Sequence, residues 1–145
     1  MVLAKEKDVE ASSVPLVLEA HSKEDWKTIS DGFMTSWQFP NCLGAIDSTH
    51  MRVQAPLNSG SNYFNYKQFF SMVMMATCDA QYKFTWVDVG QFGSISDGEV
   101  WANTEFAEDL SSGNVSLPDS SPLRGEEIPF PYVLWEMKLF HLRII

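Results

Sequence analysis

Residues 68–89 restrict the fold more than any other stretch. "QFFSMVMMATC" and "KFTWVDV" are short apolar runs rich in aromatic and β-branched residues, and Asp79-Ala80-Gln81 between them has the composition of a tight turn. Two such runs joined so closely predict an antiparallel hairpin over roughly 68–78 and 83–89.

The flanking segments supply partners for that hairpin. "SKEDWKTISDGFMTSW" predicts a helix: Ser22 caps it, Asp25 completes a capping-box variant, and Trp26, Ile29 and Phe33 fall on one face. "WQFPN" breaks it, and a strand follows over 42–47 with a continuation toward Val53. "APLNSGSNYFNYK" is dense in turn formers and reads as a loop, as does "GQFGSIS". "DGEVWANTEFAEDL" predicts a helix with Val100, Trp101 and Phe106 facing inward and acids at its N-terminal end. A long loop, 111–131, then leads to a last strand beginning at "YVL". Residues 1–21 read as an irregular arm, and no internal repeat is visible. Three strands with antiparallel connections, a helix and a further strand make an α/β chain, a mixed sheet with helices packed against it. Trp37, Phe39 and Tyr66 are expected in the core.

Composition narrows the function classes. A chain of 145 residues with 45% apolar content suits one folded domain. Cys42 and Cys78 lie in apolar runs without metal-ligand spacing, so they read as buried free thiols in a reducing compartment. "MVLAKEKDVEASS" has charges where a secretory signal needs an apolar core, and the longest apolar run is too short to span a membrane. The expectation is a soluble intracellular chain. Its net charge of −9 is concentrated in residues 88–127, where Asp88, Asp97, Glu99, Glu105, Glu108, Asp109, Asp119, Glu126 and Glu127 face Arg124 alone. Most of that block reads as a solvated face, and it opposes a broad phosphate-binding surface.

Within "PNCLGAIDSTHMRV", Asp47 ends a strand-like apolar run. A charge there needs compensation from water, a turn or a cation. Asp97 begins the helix after the third strand. Two carboxylates brought to one end of a sheet would suit Mg²⁺ or Mn²⁺, which prefer oxygen ligands and keep several waters. Against this, "S-D-G-E" before an apolar-periodic segment also gives Asp97 an ordinary capping role.

The strings "FPNCLGAIDSTH", "YFNYKQFFSMVMMATCDAQYKFTWVDVG" and "GSISDGEVWANTEF", in this order, resemble the DDE-superfamily endonuclease domain of Harbinger-type transposases and the nucleases derived from them. The resemblance runs from Trp26 to about Leu134. It implies an RNase H-like mixed sheet with flanking helices and a divalent metal ion, Mg²⁺ or Mn²⁺, used to hydrolyse phosphodiester bonds in DNA. Asp47 matches the first catalytic aspartate. Asp97 matches the acid of the family's "G-S-x-x-D" segment, as a second ligand or a supporting residue. Asp88 is a weaker metal candidate that strand alternation could leave facing solvent. His50 is a supporting residue, bonded to Asp47 or a phosphate or simply orienting the strand end. Lys67 is a DNA-contact candidate or an ordinary solvated lysine.

The resemblance also implies gaps. Residues 22–134 correspond to a partial nuclease domain, with no upstream DNA-binding helices and no late glutamate-bearing helix. The expectation is therefore an incomplete, inactive domain that binds DNA weakly, in the nucleus by resemblance with the cytoplasm as the alternative, and reliant on a separate DNA-binding partner protein. The competing expectations are a non-catalytic interaction module and a pseudogene or mis-assembled gene product.

Residues 135–145 form an aberrant tail. Where the family has a strand followed by "VGDEAFP", this chain has "WEMKLFH", with Met137 and Lys138 at the acidic positions. Lys138 would repel a cation there. TGG GAG ATG AAG CTT TTC CAC encodes the observed residues; preceded by G and read one register earlier, it gives Val-Gly-Asp-Glu-Ala-Phe-Pro. Resequencing the locus is expected to find that motif in the neighbouring frame. Codons that do not encode it would dispose of the frameshift reading.

Overall fold

The computed structural model describes residues 14–16 and 21–136. In chain order its elements are β1 (Val14–Leu16), α1 (Lys23–Trp37), β2 (Cys42–Arg52), β3 (Ser71–Cys78), β4 (Phe84–Phe92), α2 (Asp97–Ala102), α3 (Glu105–Ser112), β5 (Ser121–Pro122), β6 (Pro129–Phe130) and β7 (Val133–Glu136). A five-stranded sheet has the order β1-β4-β3-β2-β7. Every pairing is antiparallel except β2 with β7, which is parallel. This is the mixed α/β arrangement expected of an RNase H-like fold.

The β3–β4 hairpin forms as its composition predicts, and Asp79 builds the turn. Its Oδ1 accepts from the backbone N–H groups of Gln81 and Lys83, each at 2.9 Å, while its own N–H donates to the Lys83 carbonyl at 2.9 Å. That self-bonding is why Asp is favoured in such turns. Both sides of the capping box on α1 are present: Asp25 N–H donates to Ser22 Oγ at 3.2 Å, and Ser22 N–H donates to Asp25 Oδ2 at 2.8 Å. Trp26 and Phe33 are buried, with Ile29 packed beside Phe33.

Strand alternation sorts the apolar residues into two layers. On one face Phe33 packs with Cys42, Ala45 and Ala80. On the other, Val73, Met75 and Trp86 pack with Val100, flanked by Trp101 and Phe106. The sheet is therefore covered by α1 on one side and by α2 and α3 on the other.

Four features depart from the sequence expectations. The 97–110 helix is two helices, because Thr104 accepts from the Ala107 N–H at 3.1 Å and starts α3 with a new cap. The 111–131 loop holds a small ribbon, β5 with β6. The arm is not irregular throughout: Val14–Leu16 pairs with β4, whose outer edge would otherwise leave backbone groups unmatched. Finally, Trp37 and Tyr66 are not core residues, being 54% and 79% exposed. Trp37 lies on the surface because its indole N–H reaches the Ala80 carbonyl at 3.0 Å. Phe39 is partly buried against the α1 layer. Of the aberrant tail, Trp135 and Glu136 extend β7, and the remainder lies outside the described residues.

Asn41 settles where β7 goes. It is buried in a left-handed conformation at φ 53°. Its Nδ2 donates to the carbonyls of Ser121 and Phe130, each at 3.0 Å, and its own carbonyl accepts from Val133 N–H at 2.8 Å. Asn41 thus ties the ribbon through its side chain and the start of β7 through its backbone to the start of β2.

Candidate metal centre

β2 and α2 carry the central residues. Asp47 is half-buried near the middle of β2, and its Oδ1 accepts from the Ser48 N–H at 2.8 Å. The next side chain, Ser48, turns to the other face, opposite Met75 in the α2 layer. There its hydroxyl donates to Asp97 Oδ1 at 2.6 Å. This charge-assisted bond fastens the N-terminus of α2 to the strand that carries Asp47.

Asp97 is not the cap of α2. Ser96 fills that role: it accepts from Glu99 N–H at 3.3 Å, and Glu99 Oε2 accepts from Ser96 N–H at 3.0 Å. With capping assigned to its neighbour, Asp97 is left as an exposed first-turn carboxylate bonded to Ser48.

Asp47, Ser48 and Asp97 line a cavity of about 300 Å³ together with Trp101, Leu134 and Glu136. Sequence reasoning gave Glu136 no ligand position. The parallel register places it opposite Ile46, one residue from Asp47. Following the last strand two residues beyond "YVL" would have found it. Asp47 senses the other two carboxylates. Burial raises the Asp47 carboxyl above its ordinary pKa; the Ser48 N–H draws it down, and the charges of Asp97 and Glu136 push it up further.

Asp88 and His50 do not join this group. Asp88 does not face solvent, since it is 2% exposed in an interior strand between β3 and β1. Its Oδ2 accepts from Gln91 at 3.2 Å, its Oδ1 has no partner among the described residues, and it is not part of the cavity wall. His50 lies on the face opposite Asp47 and pairs through Nδ1 with Ser71 Oγ at 2.9 Å. Ser71 in turn accepts from Asn65 Nδ2 at 2.9 Å. Burial lowers the His50 pKa, the Asp97 charge raises it, and Lys67 lowers it. Apart from Asp88, the carboxylates of the 88–127 block are exposed, as a solvated face requires.

Among the described residues no three His, Cys, Asp or Glu side chains converge into a ready-made ligand set. Asp47 and Asp97 both contribute to the cavity wall, with the Asp47 side chain leaving β2 on the face opposite Ser48 and Asp97; an ion held by one or two carboxylates, with water completing its shell, fits Mg²⁺ or Mn²⁺. The Ser48 hydroxyl engages Asp97 Oδ1, so Oδ2 remains available to a cation.

Residues 46–126 match the family model described as DDE superfamily endonuclease. The Arabidopsis thaliana protein ALP1-like is 34% identical over 92 residues, 62% of this chain and 21% of that protein. The Rattus norvegicus protein HARBI1, whose name proposes a nuclease, is 24% identical over 116 residues, 80% of this chain and 32% of that protein. The chain thus spans about a fifth and a third of these curated relatives. No solved structure matches it. No helix among the described residues is long and apolar enough to cross a membrane.

Proposed function

This chain belongs to the DDE superfamily of endonucleases, and we propose that Asp47 and Asp97 hold a divalent cation used for phosphodiester hydrolysis in DNA. The domain is a nuclease module of transposase descent, with Harbinger-type elements as the proposed lineage. The reading rests on one observation above all: Ser48 bonds both acids, its N–H to Asp47 and its hydroxyl to Asp97, and both residues line one cavity. A bound Mg²⁺ or Mn²⁺ would supply Lewis acidity and an activated water there. The chain's own residues perform the supporting work. Asp47 is held by the Ser48 N–H, Ser48 fixes the approach of α2, and Ser96 frees Asp97 from capping. Glu136 adds negative potential that draws cations to the cavity. His50 acts from the neighbouring face by fixing Ser71 and the strand beyond the site. Lys67, exposed on the adjoining loop, is a proposed phosphate contact. The proposed setting is the nucleus, with a separate protein supplying the basic DNA-binding surface that this acidic chain lacks.

Metal binding without cleavage is the expected behaviour of the 145-residue chain by itself, since among the described residues no three His, Cys, Asp or Glu side chains converge on an ion. Incubation with supercoiled plasmid in Mg²⁺ or Mn²⁺ should leave it unnicked. Nicking that disappears in Asp47→Asn would show a complete catalytic set and overturn this expectation. One observation favours a second reading, a non-catalytic interaction module: Glu105, Glu108 and Asp109 present an exposed acidic face on α3. Metal binding at Asp47 discriminates between them, because an interaction module has no need of it.

A further inference from the structure

Along one face of β2, Ser48 is followed by His50 and then Arg52, each step of two residues advancing roughly 6.6 Å. The row starts at the Ser48–Asp97 bond and leaves the cavity in the direction of the 54–70 loop. There the loop lays aromatic rings beside it. The His50 ring meets Tyr66 edge-on at 5.8 Å and Phe69 at 6.5 Å. The Arg52 guanidinium lies 4.1 Å over Phe69, and Lys67 Nζ lies 5.4 Å over Tyr66. Each pairing orients a cation without neutralising it.

Tyr66 is 79% exposed, more than any other aromatic side chain among the described residues. The loop beneath it is anchored by Asn65, itself 2% exposed, whose Oδ1 accepts from the N–H groups of Lys67 at 3.0 Å and Phe69 at 3.2 Å. The ring is therefore carried on a loop that one buried anchor, Asn65, holds by its backbone at Lys67 and Phe69.

We propose, resting on the nuclease reading above, that His50, Arg52, Tyr66, Lys67 and Phe69 form a track that leads one unpaired nucleic-acid strand to the Asp47–Asp97 cavity. Arg52 and Lys67 contact phosphates, and Tyr66 stacks on a base. Two cations beside an exposed ring suit a single strand, whose bases are free to stack. They are too few for a duplex footprint on a chain of net charge −9, where affinity comes from neutralising many phosphates. An acidic peptide could satisfy the cations but would offer Tyr66 no base.

The test is fluorescence anisotropy on the full chain in EDTA at low salt, with a labelled oligothymidylate and a duplex of equal length. The single strand is expected to bind more tightly, with log K falling against log salt at a slope of about −1.4, two phosphates at about −0.7 each. Tyr66→Ala should weaken it roughly 5- to 150-fold, the range of one base–aromatic stack. Arg52→Gln with Lys67→Gln should flatten the slope. Should the Arg52 change disturb folding, Tyr66→Ala and Lys67→Gln, both at exposed positions, carry the test. Duplex binding equal to or tighter than single-strand binding overturns the proposal. So does a Tyr66→Ala affinity equal to that of the parent, or a poly-aspartate competitor as effective as unlabelled oligothymidylate. EDTA keeps this result separate from the metal-site reading, which a Mn²⁺ titration reports independently.

Discussion

Gly93→Ala is expected to destabilise the chain by about 3 kcal/mol or more, lowering Tm by roughly 6–12 °C. A methyl group at Gly93 would overlap the Ser71 carbonyl oxygen and hydroxyl and come within 2.8 Å of the Tyr63 carbonyl oxygen. Two of these three atoms belong to backbone, so no side-chain rotation relieves the overlap. Ser71 is fully buried, and its N–H donates to the Tyr63 carbonyl at 2.7 Å, so the two segments cannot part cheaply. The same Ser71 hydroxyl holds His50 and Asn65. The damage should therefore reach the far end of the site: the substitution is expected to raise amide exchange in the 63–71 segment before the α1 layer loosens. Thermal unfolding followed by circular dichroism checks the first claim. A variant melting within a degree or two of the parent would show that the close approach is softer than described.

Asp47→Asn is expected to abolish stabilisation by Mn²⁺ or Mg²⁺. For the parent chain, metal at ten times its Kd should add about 1.4 kcal/mol, a Tm rise of roughly 3–6 °C. The asparagine keeps the acceptor for Ser48 N–H but removes the charge facing Asp97 and Glu136. Asp97→Asn should weaken the response as well, and Asp88→Asn should leave it intact, because Asp88 is outside the cavity wall. Equal Mn²⁺ responses in parent and Asp47→Asn would remove Asp47 from the metal site. Without metal the same substitution acts in the opposite direction. The folded-state pKa of Asp47 is raised, so the fold favours its protonated form. Ionisation costs stability as pH rises from the unfolded pKa, about 3.9, through the raised folded value, and the cost persists above it. Asparagine escapes that cost. The stability gap between variant and parent should open with rising pH and stay small, since water reaches much of the carboxylate. A gap that closes toward neutral pH would contradict the assigned cause.

Local physics was legible in the sequence wherever a few neighbouring residues decide the outcome. Ser22 and Asp25 announce the start of α1, Asp79 announces its turn, and alternating apolar residues announce β3 and β4. Asp47 could be singled out for the same reason, as a charge at the end of an apolar run. The order of the strings around it was enough to identify the family. Ser96 and Asp97 mark the limit of such reading: both fit a cap from sequence alone, and only backbone geometry decides that Ser96 takes the role. Asp88 was misjudged because alternation specifies a face without saying whether that face is covered, and β1 extends the sheet on its far side.

The remainder of the site depends on contacts between residues far apart in the chain. Ser48 meets Asp97 across 49 residues, and Asn41 meets Ser121 across 80. Those encounters follow from sheet order and from the parallel register of β7, which brings Glu136 opposite Ile46 and onto the cavity wall. Hydrophobic periodicity carries no record of which strand lies next to which, since any strand with a matching face would bury the same area. The sequence by itself determined the elements, the family and the first aspartate. Packing of β7 and α2 against β2 decided which carboxylates share its cavity.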